Sequence, residues 1–228
     1  MHSLIPTDDH GLRRFLRRWY GDPSSPGVIL GKSPGVPKEL VEWHAMSAEW
    51  GGAVASHNYP IPLREIKVED GMVPFWVENQ GNWVWAYDPT AEGHAVYERD
   101  PSVEPHRWSA VGERLSEFLI HATVVEAILN APAMKIAQGV RAEWLWSRAE
   151  VKEFPYPAWR WPERDSRIFF GDAWMALVHR SGDLEDLRDI TLAATAPADL
   201  IWAENVAAIK WRSYNNLQDS VANEPPPW

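Results

Sequence analysis

Between Thr7 and Tyr20 the apolar residues Leu12, Phe15, Leu16, Trp19 and Tyr20 recur at helical spacing, with Arg13, Arg14, Arg17 and Arg18 between them. That pattern predicts an amphipathic helix with one buried and one solvated face. Thr7, Asp8 or Asp9 can cap its first amides, and Gly21-Asp22-Pro23 ends it. A Pro/Gly/Ser-rich loop from Gly21 to Gly35 leads to Pro37, whose fixed φ suits the first position of a second helix. This helix should run to Trp50 and stop at Gly51.

The period then changes. Ile61–Val68, Val73–Asn79, Asn82–Tyr87 and Ala95–Arg99 are short β-rich runs separated by turn formers, as in an antiparallel meander. If Gln80-Gly81 joins two of them, Trp76 faces Trp85 and Glu78 faces Trp83 on one side, while Phe75, Val77, Val84 and Ala86 line the other. From Ser109 to Leu129 the stripe Leu115, Phe118, Leu119, Ala122, Val125 and Leu129 predicts a third helix, closed by Pro132.

Ala133–Arg148 reads as a further helix, and Phe154–Pro162 as a Pro- and Trp-rich connector where one lobe can give way to another. Two β-runs follow, Arg167–Arg180 (with a break at Gly171-Asp172) and Asp189–Ala194, then a helical pattern from Ala198. The expected class is α+β: an antiparallel or mixed sheet with helices on one side, plus a smaller C-terminal α+β lobe. The expected segments are 1–132, 133–214 and a Pro-rich tail at 215–228 ending Pro225-Pro226-Pro227-Trp228.

Composition narrows the chemistry. With 228 residues, 45% of them hydrophobic, and 15 Trp, the chain has ample material for a core. It contains no Cys, which removes disulfides, thiolate catalysis, iron–sulfur clusters and Cys-based zinc sites. Asp8, Asp9 and His10 interrupt the place where a signal peptide needs an apolar run, and no stretch reaches bilayer-spanning length, so a cytoplasmic location is expected. A formal net charge of −10 disfavours direct contact with nucleic acid or anionic lipid and favours encounter with a basic partner.

Catalytic motifs fail on inspection. Gly31-Lys32-Ser33-Pro34-Gly35 fits a nucleophile elbow by pattern, but Pro34 has no N–H to offer an oxyanion. Gly27–Ser33 is one residue short of a phosphate-binding loop, with Pro26 where glycine is needed. None of the eight histidines falls in a metal-binding spacing, and His121 reads as a core residue of the third helix. With 32 carboxylates, accidental pairs are guaranteed. No cofactor and no metal is therefore assigned. Most tryptophans read as core, but Trp144, Trp146, Trp159 and Trp161 fall in a loop-rich region where a half-exposed ring can anchor a partner.

Several stretches then resemble one known group. They are Val36-Pro37-Lys38-Glu39-Leu40 leading into Glu49-Trp50-Gly51-Gly52, then Pro74-Phe75-Trp76-Val77-Glu78-Asn79-Gln80-Gly81-Asn82-Trp83-Val84-Trp85-Ala86, then Val96-Tyr97-Glu98-Arg99 and Leu115-Ser116-Glu117-Phe118-Leu119. In this order, over residues 8–130, the chain resembles the SUKH superfamily, which includes fungal cell-wall regulators and many bacterial immunity proteins. The resemblance implies an α+β fold that binds protein partners, in bacterial members commonly a toxin and often a nuclease. It supplies no catalytic residues.

The expectation is a non-enzymatic immunity protein that covers a toxin, with an endogenous scaffold or regulator of the same fold as the alternative. Against a basic nuclease, the candidate contacts are Glu69 and Asp70 before the hairpin, Asp88 and Glu92 after it, and Glu98 and Asp100 beyond. A third, less favoured reading is a carbohydrate hydrolase, which requires an exposed Trp beside paired carboxylates in one cleft.

Overall fold

The computed structural model describes residues 5–27, 35–100, 107–207 and 209–215. Two compact units divide the chain, one from Pro6 to Ala127 and the other from Ile128 onward. Each is built on an antiparallel sheet, so the chain is of the α+β class. The loop motifs at 28–34 and the expected tail beyond Asn215 lie outside the described residues.

In the first unit α1 (Asp9–Tyr20) buries Leu12, Phe15, Leu16 and Trp19, and the Asp8 carboxylate caps it by accepting the Gly11 N–H at 2.5 Å. Helix α2 (Lys38–Ser47) starts directly after Pro37 and gives way to a 3-10 segment, Ala48–Val54. Within that segment Gly51 sits at φ 62°, ψ −142°, open to glycine and costly for other residues. The Glu49-Trp50 pair preceding it fastens α1 in place. Arg13 donates to both Glu49 oxygens at 2.5 and 2.8 Å, and the Trp50 indole donates to Gly21 O at 2.9 Å. Arg13 is thus no merely solvated arginine of the first helix.

The five strands β1 (Tyr59–Pro60), β2 (Val73–Val77), β3 (Val84–Tyr87), β4 (Ala95–Arg99) and β5 (Ser109–Arg114) pair in sequence order. Trp76 opposes Trp85, as the hairpin register predicted. A bulge between Pro74 and Trp76 breaks the expected alternation. It brings Phe75 as well as Trp76 to Phe118 of α3 (Leu115–Leu129), at ring separations of 5.1 and 6.2 Å, with Trp85 at 5.8 Å. From α2, Trp43 stacks edge-on against Trp76 at 5.1 Å and donates its indole N–H to Thr123.

Two expectations in this unit fail. Ile61–Val68 is not a strand: the pairing with β2 covers Tyr59 and Pro60 and ends on the Ile61 N–H, which donates to Phe75 O at 2.8 Å, and a 3-10 turn at Leu63–Glu65 follows Pro62, whose missing N–H interrupts a ladder. The third helix does not begin at Ser109. Residues 109–114 pair with β4, and the chain becomes helical only at Leu115, where Glu117 accepts the Arg114 N–H at 2.8 Å.

The second unit holds a six-stranded sheet in the order β11-β6-β10-β9-β8-β7, so it is not the minor lobe expected. Its strands are β6 (Ala133–Val140), β7 (Lys152–Glu153), β8 (Arg167–Phe170), β9 (Trp174–Ser181), β10 (Leu184–Ala194) and β11 (Arg212–Asn215). The helix expected over 133–148 is instead β6 followed by the one-turn α4 (Glu143–Trp146). β6 alternates buried and half-buried positions, but a lysine disguises the rhythm. Lys135 is buried, with its ammonium on Glu204 and Ser213, both at 2.9 Å. The 154–162 connector marks no boundary: Phe154 N–H donates to Ile168 O, Trp159 bridges Ser166, and Trp159 and Trp161 are buried. One face of this sheet packs Trp174, Ala176, Leu192 and Ala194 with Leu200 and Ala203 of a 3-10 run at Pro197–Asn205.

Candidate functional site

Sheet register decides which of the acidic candidates stand together. Val73 opposes Tyr87 and Tyr87 opposes Val96, so the turn before β2 and the loop between β3 and β4 project from the same end of the first sheet. Glu69, Asp70, Asp88 and Glu92 are therefore gathered at one end. Asp100 follows β4 at the opposite end, beside the 78–83 turn, because Arg99 opposes Val84.

The local chemistry of these turns keeps the carboxylates outward. Glu69 and Met72 exchange backbone hydrogen bonds at 2.7 and 3.0 Å around Asp70 (φ 51°) and Gly71 (φ 79°), two successive left-handed residues as an Asp-Gly hairpin turn requires. Asp88 accepts from the Thr90 N–H at 2.8 Å and the Thr90 hydroxyl at 2.7 Å, and these bonds hold its pKa below the usual carboxylate range. Glu92 is exposed on the same loop. The next residue, Gly93 at φ 69°, lies so close to Arg114 that an added Cβ would fall 2.8 Å from its Cδ. Of the four carboxylates, only Glu69 has an ion-pair partner among the described residues, Lys67 at 3.1 Å.

Glu98 is a correction. It is 3% exposed and accepts the Trp83 indole N–H at 3.1 Å, so it braces the inside of the sheet and offers nothing to a partner. The other motif positions are structural too. Glu78 is buried and accepts the Gln80 and Asn82 N–H groups at 2.9 and 3.1 Å, Gly81 takes φ 75°, and Asn79 and Gln80 are exposed at the loop tip. Trp50, Trp76 and Trp85 are buried, while Gly51 and Gly52 are exposed in the 3-10 segment.

A concavity of the first unit, about 460 Å³, lies between α1, α2 and the start of α3. Leu12, Trp43, Met46 and Ile120 form its floor. Its rim carries Asp9, Glu39, Glu42 and Glu49 against Arg13 and Lys38, an excess of two negative charges from four minus two. Arg13 is bound to Glu49, and Lys38 to Glu42 at 3.0 Å, which leaves Asp9 and Glu39 as the excess. This groove was not foreseen, because its walls come from three separate helices.

Two other buried polar groups, Glu126 and the Nε2 of His44, escaped the sequence, as did the partner of a third, His121. Glu126, 1% exposed, accepts the backbone N–H groups of Ser56, His57 and Asn58 at 3.1, 2.8 and 3.0 Å. His121 is buried against Glu113, as its core assignment anticipated, although the partner was not anticipated. His44 carries a buried Nε2 with no hydrogen-bond partner among the described residues, and burial pushes its pKa down to about 4. No three His, Asp or Glu side chains converge as a metal site needs among the described residues. Nor is any described helix long and apolar enough to cross a membrane.

Compared with known proteins, the chain matches no family model, no curated protein and no solved structure.

Proposed function

We propose that this chain is a non-enzymatic, SUKH-like binding protein that acts in the cytoplasm by covering and neutralising a basic toxin domain, a nuclease being the best-suited class. The observation that carries the reading is the gathering of Glu69, Asp70, Asp88 and Glu92 at one end of the first sheet by the Val73–Tyr87–Val96 register. Three of these four carboxylates have no ion-pair partner among the described residues, and the Arg114 side chain against Gly93 offsets only part of the negative charge of the edge. On a chain with net charge −10, such an edge steers a cationic surface into contact and takes the place of the phosphates that a nuclease would otherwise bind.

The test is to read the adjacent genes for a toxin domain and co-express the chain with it, scoring cell survival and co-purification; the lack of such a gene counts against the reading. Survival with a stable complex is expected, and charge reversal at Asp88 and Glu92 should slow association roughly tenfold at low salt. Absence of protection and of a complex removes the reading.

A further inference from the structure

We infer that the second unit carries a binding site for a neutral sugar, independent of the acidic edge of the first unit. The site is a cleft of about 390 Å³ over β8, β9 and β10 of the six-stranded sheet, with Trp146 of α4 on its rim. This is in the range of small-molecule sites, roughly 300–1,000 Å³.

Strand pairing lays its floor. Arg167 opposes Val178 and Val178 opposes Ile190, while Phe169 stands two residues along β8 from Arg167 and Arg188 two along β10 from Ile190. Period-two alternation therefore puts Arg167, Phe169, Val178 and Arg188 on one face. Phe169 and Val178 are buried, and Trp146 from α4 leans over Phe169 at 4.6 Å between ring centroids. Trp146 remains 45% exposed, although an indole gains by burial. A large aromatic surface is thus held open at the mouth of a concavity.

The polar rim is already fixed in place. Arg167 donates to Glu153 at 2.6 Å and to Asp165 at 2.9 Å, and these bonds raise its pKa above the ordinary value. Arg188 donates through one nitrogen to the carbonyls of Glu185 and Leu187, at 2.5 and 2.9 Å, which sets the direction of its guanidinium. Two carboxylates and two guanidinium groups line the cleft, so the charges sum to zero. The lining groups themselves favour neither an anion nor a cation. A pyranose does match: its C–H face lies on the indole, while hydroxyls, each both donor and acceptor, meet acceptors and donors placed side by side. Rigid partners lower the ordering cost of such a complex.

Hydrolysis is a different matter. It needs one carboxyl that delivers a proton to the leaving oxygen, and here both carboxylates are engaged in clasping Arg167. Trp159, one of the four tryptophans singled out in the loop-rich region, is buried. The cleft is read as a site that holds a sugar without cleaving it.

The full chain is to be titrated with maltotriose, cellotriose, mannotriose, lactose and N,N′-diacetylchitobiose, with galacturonic acid and AMP as charged controls. Saturation-transfer NMR detects binding, and calorimetry gives Kd. At least one neutral saccharide is expected to bind in the micromolar to millimolar range. Trp146→Ala should weaken it at least tenfold, Trp146→Phe less, and Arg188→Ala several-fold, while Ile201→Ala, at another exposed position of the same unit, leaves it unchanged. No binding by any of the five saccharides overturns the inference. So does binding that survives Trp146→Ala in protein with an unaltered near-ultraviolet dichroism spectrum, or a preference for AMP or galacturonic acid.

Discussion

Glu113, the penultimate residue of β5, accepts a hydrogen bond from Nδ1 of His121, two turns into α3, at 2.6 Å with both side chains buried. Removing one member takes from the other a hydrogen-bond partner in a place shielded from water. Glu113→Ala should cost about 3 kcal/mol, the scale for breaking a buried pair. His121→Ala should cost a similar amount, and the double variant less than the sum by roughly 1–3 kcal/mol. Urea denaturation of the four proteins measures this coupling. Additive losses would show that the contact does no joint work.

Glu126 gives the fold a pH dependence of definite sign. Burial raises its pKa from 4.5 to about 7, while the amides of Ser56, His57 and Asn58 pull the other way. In the unfolded chain the carboxyl loses its proton near 4.5, whereas the folded protein keeps it until about 7. Its contribution is therefore fully present below pH 4.5 and is lost as pH rises through 7, on the order of 3 kcal/mol over that window. Glu126→Gln cannot titrate. The stability of the native protein relative to this variant should fall between pH 4.5 and 7.5, as read from paired denaturation curves; a rising difference would mean that the three amides outweigh burial.

The loop joining β2 to β3 depends on one carboxylate and one glycine. Glu78 holds the Gln80 and Asn82 amides from beneath, and Gly81 turns at φ 75°. Glu78→Ala leaves two amides without their acceptor and should cost about 2 kcal/mol; Gly81→Ala should cost about 1 kcal/mol from the left-handed backbone alone. Thermal unfolding checks both, with Asn79→Ala at the exposed tip expected to change stability by less than about 0.5 kcal/mol.

Elements whose cause is local were legible. α1 shows its apolar stripe and its cap, α2 its Pro37, and the β2–β3 hairpin its facing Trp76 and Trp85. Elements decided by remote partners were not. Ser109 is a strand residue because Glu98 pairs with it, and Ala137 because Ile190 does. An alanine- and lysine-bearing segment such as β6 satisfies helical propensity equally well, so tertiary pairing overrides it. The buried acids were hidden for the same reason: nothing near Glu126 in sequence announces the amides at 56–58. For the acidic edge, composition supplied the residues, but only register could separate Glu69, Asp70, Asp88 and Glu92 from Asp100. The cleft at Trp146 needed β8, β9, β10 and α4 to be brought together, and its Arg167-x-Phe169 alternation is too short to signal it alone.

Glu98 and Glu92 make the sharpest contrast, since both belong to the same acidic stretch of sequence but one faces Trp83 and the other water. Glu98→Gln retains an oxygen that can accept the indole N–H but loses the charge on the acceptor, so a loss of about 1 kcal/mol in stability is expected, and more for Glu98→Ala. Glu92→Gln and Asp70→Asn should leave the free energy of unfolding unchanged within about 0.5 kcal/mol; asparagine suits Asp70 because it tolerates the left-handed backbone there. The order inverts for binding. With the toxin domain of the adjacent gene as probe, Glu92→Gln and Asp70→Asn should lower kon and flatten its salt dependence, while Glu98→Gln leaves kon unchanged once the protein is folded. Stopped-flow association at two ionic strengths, beside thermal melts of the same three variants, separates the outcomes. A kon that falls for Glu98→Gln and not for Glu92→Gln would put the contact surface elsewhere on the molecule.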